Sequence, residues 1–138
     1  MISTELKTQI QGAYSRFLES KSLKPRYGQR LMIAEVAKVL GDIDTDEENH
    51  RSGDPAVVAV EAGTGTGKTV AYCLAAIPVA KAAGKRLVVA TATVALQEQI
   101  VYKDLPDLMR NSGLNFSFAL AKGRGRYMCL SKLDMLLQ

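Results

Sequence analysis

The chain has 138 residues, 47% of them hydrophobic and 23% charged, with a formal net charge of +4. That is enough sequence for one domain with a buried core, and the mix excludes fibrous, disordered and small disulfide-rich proteins. No apolar run spans a membrane, no basic-then-apolar leader opens the chain, and two cysteines form no disulfide framework. A reduced, cytoplasmic setting is the expectation. The mild positive charge permits a nucleic-acid partner without establishing one.

Taken in order, residues 4–20 read as a helix, because Leu6, Ile10, Ala13 and Phe17 repeat at helical spacing behind the caps Ser3 and Thr4. A basic connector, 21–26, contains Pro25, and a second helix runs from Tyr27 to Leu40 with Met32, Val36 and Val39 on one face and Gly41 as its stop. Residues 41–55 form an acidic loop rich in turn formers. The apolar run Ala56–Val60 then reads as a strand buried on both faces. A glycine-rich stretch, 61–68, precedes an Ala-rich helix from Thr69 to Ala83, kinked or shortened by Pro78 and closed by Gly84. Arg86–Thr91 is a second strand, Val94–Met109 a third long helix broken near Pro106, and Phe116–Leu120 a third strand after the turn 111–113. A basic loop, 122–126, and a final helix from Cys129 to Gln138 complete the chain. Strand and helix alternate, which predicts an α/β fold: a parallel sheet flanked by helices and preceded by an N-terminal helical segment.

The strongest chemical signal is Ala62-Gly63-Thr64-Gly65-Thr66-Gly67-Lys68-Thr69. It matches a phosphate-binding loop except that Ala62 stands where the pattern has glycine. Glycines let successive backbone N–H groups converge on one point, and the following helix adds the positive end of its dipole. Lys68 offers a mobile cation for the β- and γ-phosphates, and Thr69 a hydroxyl for Mg²⁺. Elsewhere, Gln29 has an amide suited to an adenine edge, or is a solvated residue near a helix start. Thr91, Thr93 and Gln97 stand at a helix start that either holds nucleic-acid phosphates or is merely capped. Lys122, Arg124, Arg126 and Tyr127 suit phosphates and a stacked base, or make a solvated basic loop. Cys73 reads as core packing. The acidic cluster 46–50 reads as a surface loop, because it follows no buried strand from which carboxylates would enter a cleft.

The order of these segments resembles the N-terminal part of a DinG-type helicase, of the bacterial branch of the iron–sulfur helicases that includes XPD-like enzymes. The residues that carry the resemblance are Pro25-Arg26, Gln29-Arg30, the run Val60–Thr69, Ala71-Tyr72, Thr91–Gln99, Lys103–Pro106 and Gly123–Cys129. The last is the more specific, since the phosphate loop fits many NTPases. The resemblance implies a partial RecA-like motor domain over 56–121, an adenine-reading segment within 1–55 and the start of an iron–sulfur insertion at 122–138. It implies ATP with Mg²⁺, Gln29 and Arg26 near the adenine, single-stranded DNA along Thr91–Gln99, and Cys129 as one of four thiolate ligands of a four-iron four-sulfur cluster in a larger parent. That parent would be a 5′-to-3′ DNA helicase of repair or replication, acting on single strands and duplex junctions. This chain would be its ATP-binding part, not competent in hydrolysis alone, since the acidic box and the second motor domain with its arginine finger are not in it, and without a cluster of its own, since the other cysteines are not in it. A small kinase or NTPase, or a stand-alone nucleotide- or DNA-binding module, are the other readings of the loop.

Overall fold

The computed structural model describes residues 1–137; the last residue of the expected final helix, Gln138, lies outside them. Its regular elements are α1 (Thr4–Ser20), α2 (Tyr27–Gly41), α3 (Lys68–Ala82), α4 (Val94–Gln99), a π-helical turn (Ile100–Asp104), α5 (Leu105–Asn111), a 3₁₀ turn (Arg124–Arg126) and α6 (Leu130–Leu137).

The core is built around α3. Ala71, Cys73, Leu74, Ala75, Ala76, Ile77, Pro78 and Val79 are all buried, as befits a helix that is apolar around its circumference. Against it pack Ile10, Ala13, Tyr14, Phe17 and Leu18 of α1, Met32, Ile33 and Ala37 of α2, and Leu108 of α5. The expected α1 stripe is thus the buried face, with Leu6 at its half-buried margin, and the Ser3 hydroxyl accepts from the Leu6 N–H at 3.1 Å as the cap. On α2, Met32 is buried while Val36 and Val39 are half-buried. Gly41 belongs to the helix and does not stop it by a left-handed turn. A Cβ there would run into the Ile2 side chain, so its smallness serves a close approach of the chain's first residues.

Two prolines act differently. Pro78 neither ends nor interrupts α3; it is fully buried within it. Pro106 has no N–H to give to the carbonyl four residues back, and the helix meets this by widening: the Leu105 N–H reaches back to the Ile100 carbonyl, an i→i−5 bond that closes the π turn. The break expected near Pro106 is this change of register, after which α5 continues in α-helical form.

The parallel sheet is not there. Among the described residues there is no strand, and the α/β expectation is corrected to a helical arrangement. The one β-type pairing among them is an isolated antiparallel bridge, Thr45 with Arg51, inside the acidic loop. The segments 56–60, 86–91 and 116–120 carry no ladder, and Val57 and Val88 are 81% and 84% exposed. The physical reason is that an apolar run specifies only which side chains avoid water. A strand also needs a partner backbone to take its N–H and C=O groups, and here the apolar surface of the core is satisfied by helix packing on α3.

The acidic loop is tied down by its own backbone. Asp46 Oδ1 accepts from the Glu48 and His50 N–H groups, and Lys85 and Asn49 join the loop to the end of α3. The Asp46 carboxylate is thus engaged in turn formation. Among the described residues no helix is long and apolar enough to cross a membrane.

Candidate nucleotide and nucleic-acid site

The loop Ala62–Thr69 wraps the N-terminus of α3. Gly65 and Gly67 both take φ of +76°, the left-handed region in which a glycine turns the chain without steric cost. Gly67 is the N-cap of α3, so its carbonyl accepts the first helical bond, from the Ala71 N–H at 3.1 Å. The Thr66 hydroxyl closes the turn onto the Gly63 carbonyl at 2.9 Å. The Lys68 ammonium folds back over the loop and donates to the carbonyls of Ala62 at 2.8 Å and Gly63 at 3.0 Å. Ala62 is half-buried against the core, which gives a small apolar residue a use at the place where the pattern has glycine. Thr69 is the second residue of α3; beside it, burial, only partly offset by the neighbouring Thr69 hydroxyl, raises the Tyr72 phenol above its ordinary range.

Behind the loop stands the start of α2. The Arg26 guanidinium donates to the Gly65 carbonyl at 2.7 Å, and the Gln29 amide nitrogen to the Gly67 carbonyl at 3.2 Å, with the Thr66 carbonyl at 3.5 Å. The amide oxygen of Gln29 accepts from the Tyr14 hydroxyl at 3.0 Å. Gln29 is therefore buried, not solvated, and both ends of its amide are engaged. It is the resemblance that brings Arg26, Gln29 and the loop together; Tyr14, beside Ala13 of the α1 stripe, carries no signal of its own in the sequence.

A second group forms around the start of α4. The Thr93 hydroxyl accepts from the Leu96 N–H at 3.2 Å and is the helix cap, while the Thr91 hydroxyl donates to the Thr93 carbonyl at 3.2 Å. Gln97 reaches the basic loop: its amide nitrogen donates to the Ala121 carbonyl at 3.3 Å, and its oxygen accepts from Arg126 at 3.1 Å. The Tyr127 hydroxyl accepts from the Lys122 N–H at 2.8 Å, which folds the basic turn onto itself. Gln97, Lys122, Arg126 and Tyr127 thus share one surface, with Arg124 exposed beside them.

The two thiols differ. Cys129 is exposed just ahead of α6, whereas Cys73 is fully buried in α3, where desolvation, helped by the Asp104 carboxylate, pushes its pKa up to about 12. A native-state alkylation at neutral pH should therefore modify one thiol quickly, Cys129, and reach Cys73 only after unfolding. Peptide mass mapping checks this; rapid labelling of Cys73 would contradict its burial. The four-thiolate cluster implied by the resemblance does not fit the described residues by themselves, since no three potential metal ligands come together among them and Cys73 is sealed in the core.

The family model for DEAD/DEAH box helicases matches residues 46–135. The chain belongs to that family. It is 42% identical over 135 residues to the ATP-dependent DNA helicase DinG of Photobacterium profundum, covering 97% of this chain and 18% of that protein. It is 42% identical over 136 residues to the DinG helicase of Escherichia coli, and 41% identical over 136 residues to that of Salmonella choleraesuis. Each of these two alignments covers 98% of this chain and 18% of the relative. The chain spans about a fifth of the length of the curated relatives it matches.

Proposed function

We propose that this chain is the nucleotide-binding part of a DinG-type ATP-dependent DNA helicase. The observation that supports the reading is the loop Ala62–Thr69 at the N-terminus of α3, held from behind by Arg26 and Gln29, in a chain of the DEAD/DEAH box family. In this reading the backbone N–H groups of the loop and the dipole of α3 bind the phosphates of ATP. Lys68, whose ammonium carries three donors and spends two of them on the carbonyls of Ala62 and Gly63, turns the third to the β- and γ-phosphate oxygens. Thr69 has its hydroxyl in the first turn of α3, where it suits Mg²⁺, which when bound neutralises charge on the β- and γ-oxygens.

The whole protein's activity would be ATP hydrolysis coupled to 5′-to-3′ unwinding of DNA, in repair or replication, in the cytoplasm. Single-stranded DNA would lie across the surface made by Thr91, Thr93, Gln97, Lys122, Arg124, Arg126 and Tyr127, where hydroxyls and cations meet an exposed aromatic ring. Cys129, the exposed thiol, would be the residue this chain offers to the cluster that the resemblance implies.

Two titrations test the reading. ATP should bind this chain in calorimetry, and a single-stranded oligonucleotide should bind with a salt-dependent affinity. Arg124→Ala should lower the oligonucleotide affinity uniformly across sequences, and reduce the slope of log affinity against log salt by about one. It should leave ATP affinity as it was. An unchanged slope would remove the basic turn from the DNA path.

A further inference from the structure

The structure points to Tyr14 as a positioning residue of the phosphate loop, acting through Gln29 and Arg26. The inference deepens the nucleotide-binding reading and rests on it for the ligand, but not for the geometry.

The hydrogen-bond directions in this network are determined by what each group can do. The carbonyls of Thr66 and Gly67 only accept, so the Gln29 amide must turn its nitrogen toward them. Its oxygen then faces Tyr14, and the tyrosine hydroxyl must donate to it. The hydroxyl oxygen is left as an acceptor and takes the Arg26 N–H at 3.3 Å. A single hydroxyl thus fixes the orientation of the Gln29 amide and the backbone of the residue whose guanidinium holds Gly65. Tyr14 and Gln29 are each 8% exposed, so water has little access to replace either partner.

The tethers have a directional consequence. In a trans peptide the C=O of one residue and the N–H of the next point to opposite sides. Holding the carbonyls of Gly65, Thr66 and Gly67 toward α2 therefore aims the N–H groups of Thr66, Gly67 and Lys68 away from it. Those are the donors a phosphate meets at this loop. Tyr14 contributes no atom to the ligand; it acts by restricting the loop to the donor-forward arrangement before binding. Gln29 is in consequence a brace for the loop, and reading an adenine edge would require it to surrender a bond at one end of its amide.

Tyr14→Phe is the direct test, since it keeps the ring in the core and removes only the hydroxyl. By ¹⁵N relaxation, the order parameters of Thr66, Gly67 and Lys68 should fall from the rigid range near about 0.85 toward about 0.6, with those of residues 71–79 unchanged. ATP affinity should fall about five- to tenfold, the worth of one hydrogen bond. In a cycle with Gln29→Ala, the losses should fall short of additive, because part of what Tyr14 does passes through Gln29 and the rest through the Arg26 backbone. Unchanged loop order parameters in Tyr14→Phe, or fully additive losses in the cycle, would overturn the proposal. If the unaltered chain binds no ATP, the nucleotide reading fails, while the relaxation measurement still decides on Tyr14.

Discussion

Lys68→Ala is expected to weaken ATP binding by about ten- to a hundredfold, from the loss of charge-assisted hydrogen bonds worth about 1.5–3 kcal/mol. The ammonium sits within 3.0 Å of the loop carbonyls of Ala62 and Gly63, already inside the turn that would receive the phosphates. It has a third donor free of those two bonds, so it can reach a phosphate without abandoning the loop. Removing it deletes a positive charge and leaves the two carbonyls to water. They are near the surface, so folding should suffer little: Gly63 is exposed and Ala62 half-buried. Lys68→Arg should not restore full affinity, because a planar guanidinium is larger and directs its donors as a fork instead of a point. Calorimetric titration of ATP into the three forms, with melting temperatures as the control on folding, measures this. Equal affinities in all three would detach Lys68 from the ligand.

How far the residues alone reveal this site depends on the range over which each feature is specified. The stripe of α1, the cap at Ser3 and the turn glycines of the loop are set by neighbours within a few positions, and each is legible; at Pro106 the residues announce a disturbance of the helix, but not the π turn that carries it through. The three apolar segments mislead because pairing is not local. Ala56–Val60 and Arg86–Thr91 have the composition of buried strands, yet whether a backbone partner lies alongside them is decided by the whole fold. Gln29 can be placed near the loop only through a resemblance. Its bonds cross 15 residues to Tyr14 and 38 to Gly67, and no periodicity encodes them. Gln97 and Arg126, joined across 29 residues, each carry a signal for nucleic acid, but that they touch one another is a fact of the fold. Tyr14 is hidden for the opposite reason. It sits beside Ala13 and one turn from Ile10 and Phe17, and a tyrosine there looks like one more apolar contact until the partner of its hydroxyl is seen.

Gly67→Ala is expected to be the most damaging single methyl that can be added to this loop. Two costs act at once. The residue holds φ at +76°, which charges any L side chain roughly 1–2 kcal/mol. Its Cβ would also land on the Gln29 amide nitrogen, and relieving that collision breaks the bond from Gln29 to the Gly67 carbonyl, about 1 kcal/mol more. The same displacement loosens Tyr14, since Gln29 is held between the two. ATP affinity should therefore fall by at least about tenfold. Neighbouring glycines separate the two contributions. At Gly65 φ is again +76°, but among the described residues a Cβ meets nothing within 4 Å, so Gly65→Ala carries the backbone cost alone. Gly63 has neither a positive φ nor, among the described residues, a neighbour within 4 Å of its Cβ, and Gly63→Ala should be close to neutral unless the ligand itself needs that space. Titrating ATP into the three variants should rank the losses Gly67 above Gly65 above Gly63. A Gly67→Ala chain that binds as well as Gly65→Ala would show that the brace from Gln29 adds nothing to the loop. A Gly63→Ala chain as weak as Gly67→Ala would show that close approach of the phosphates, not backbone geometry, is what the glycines provide.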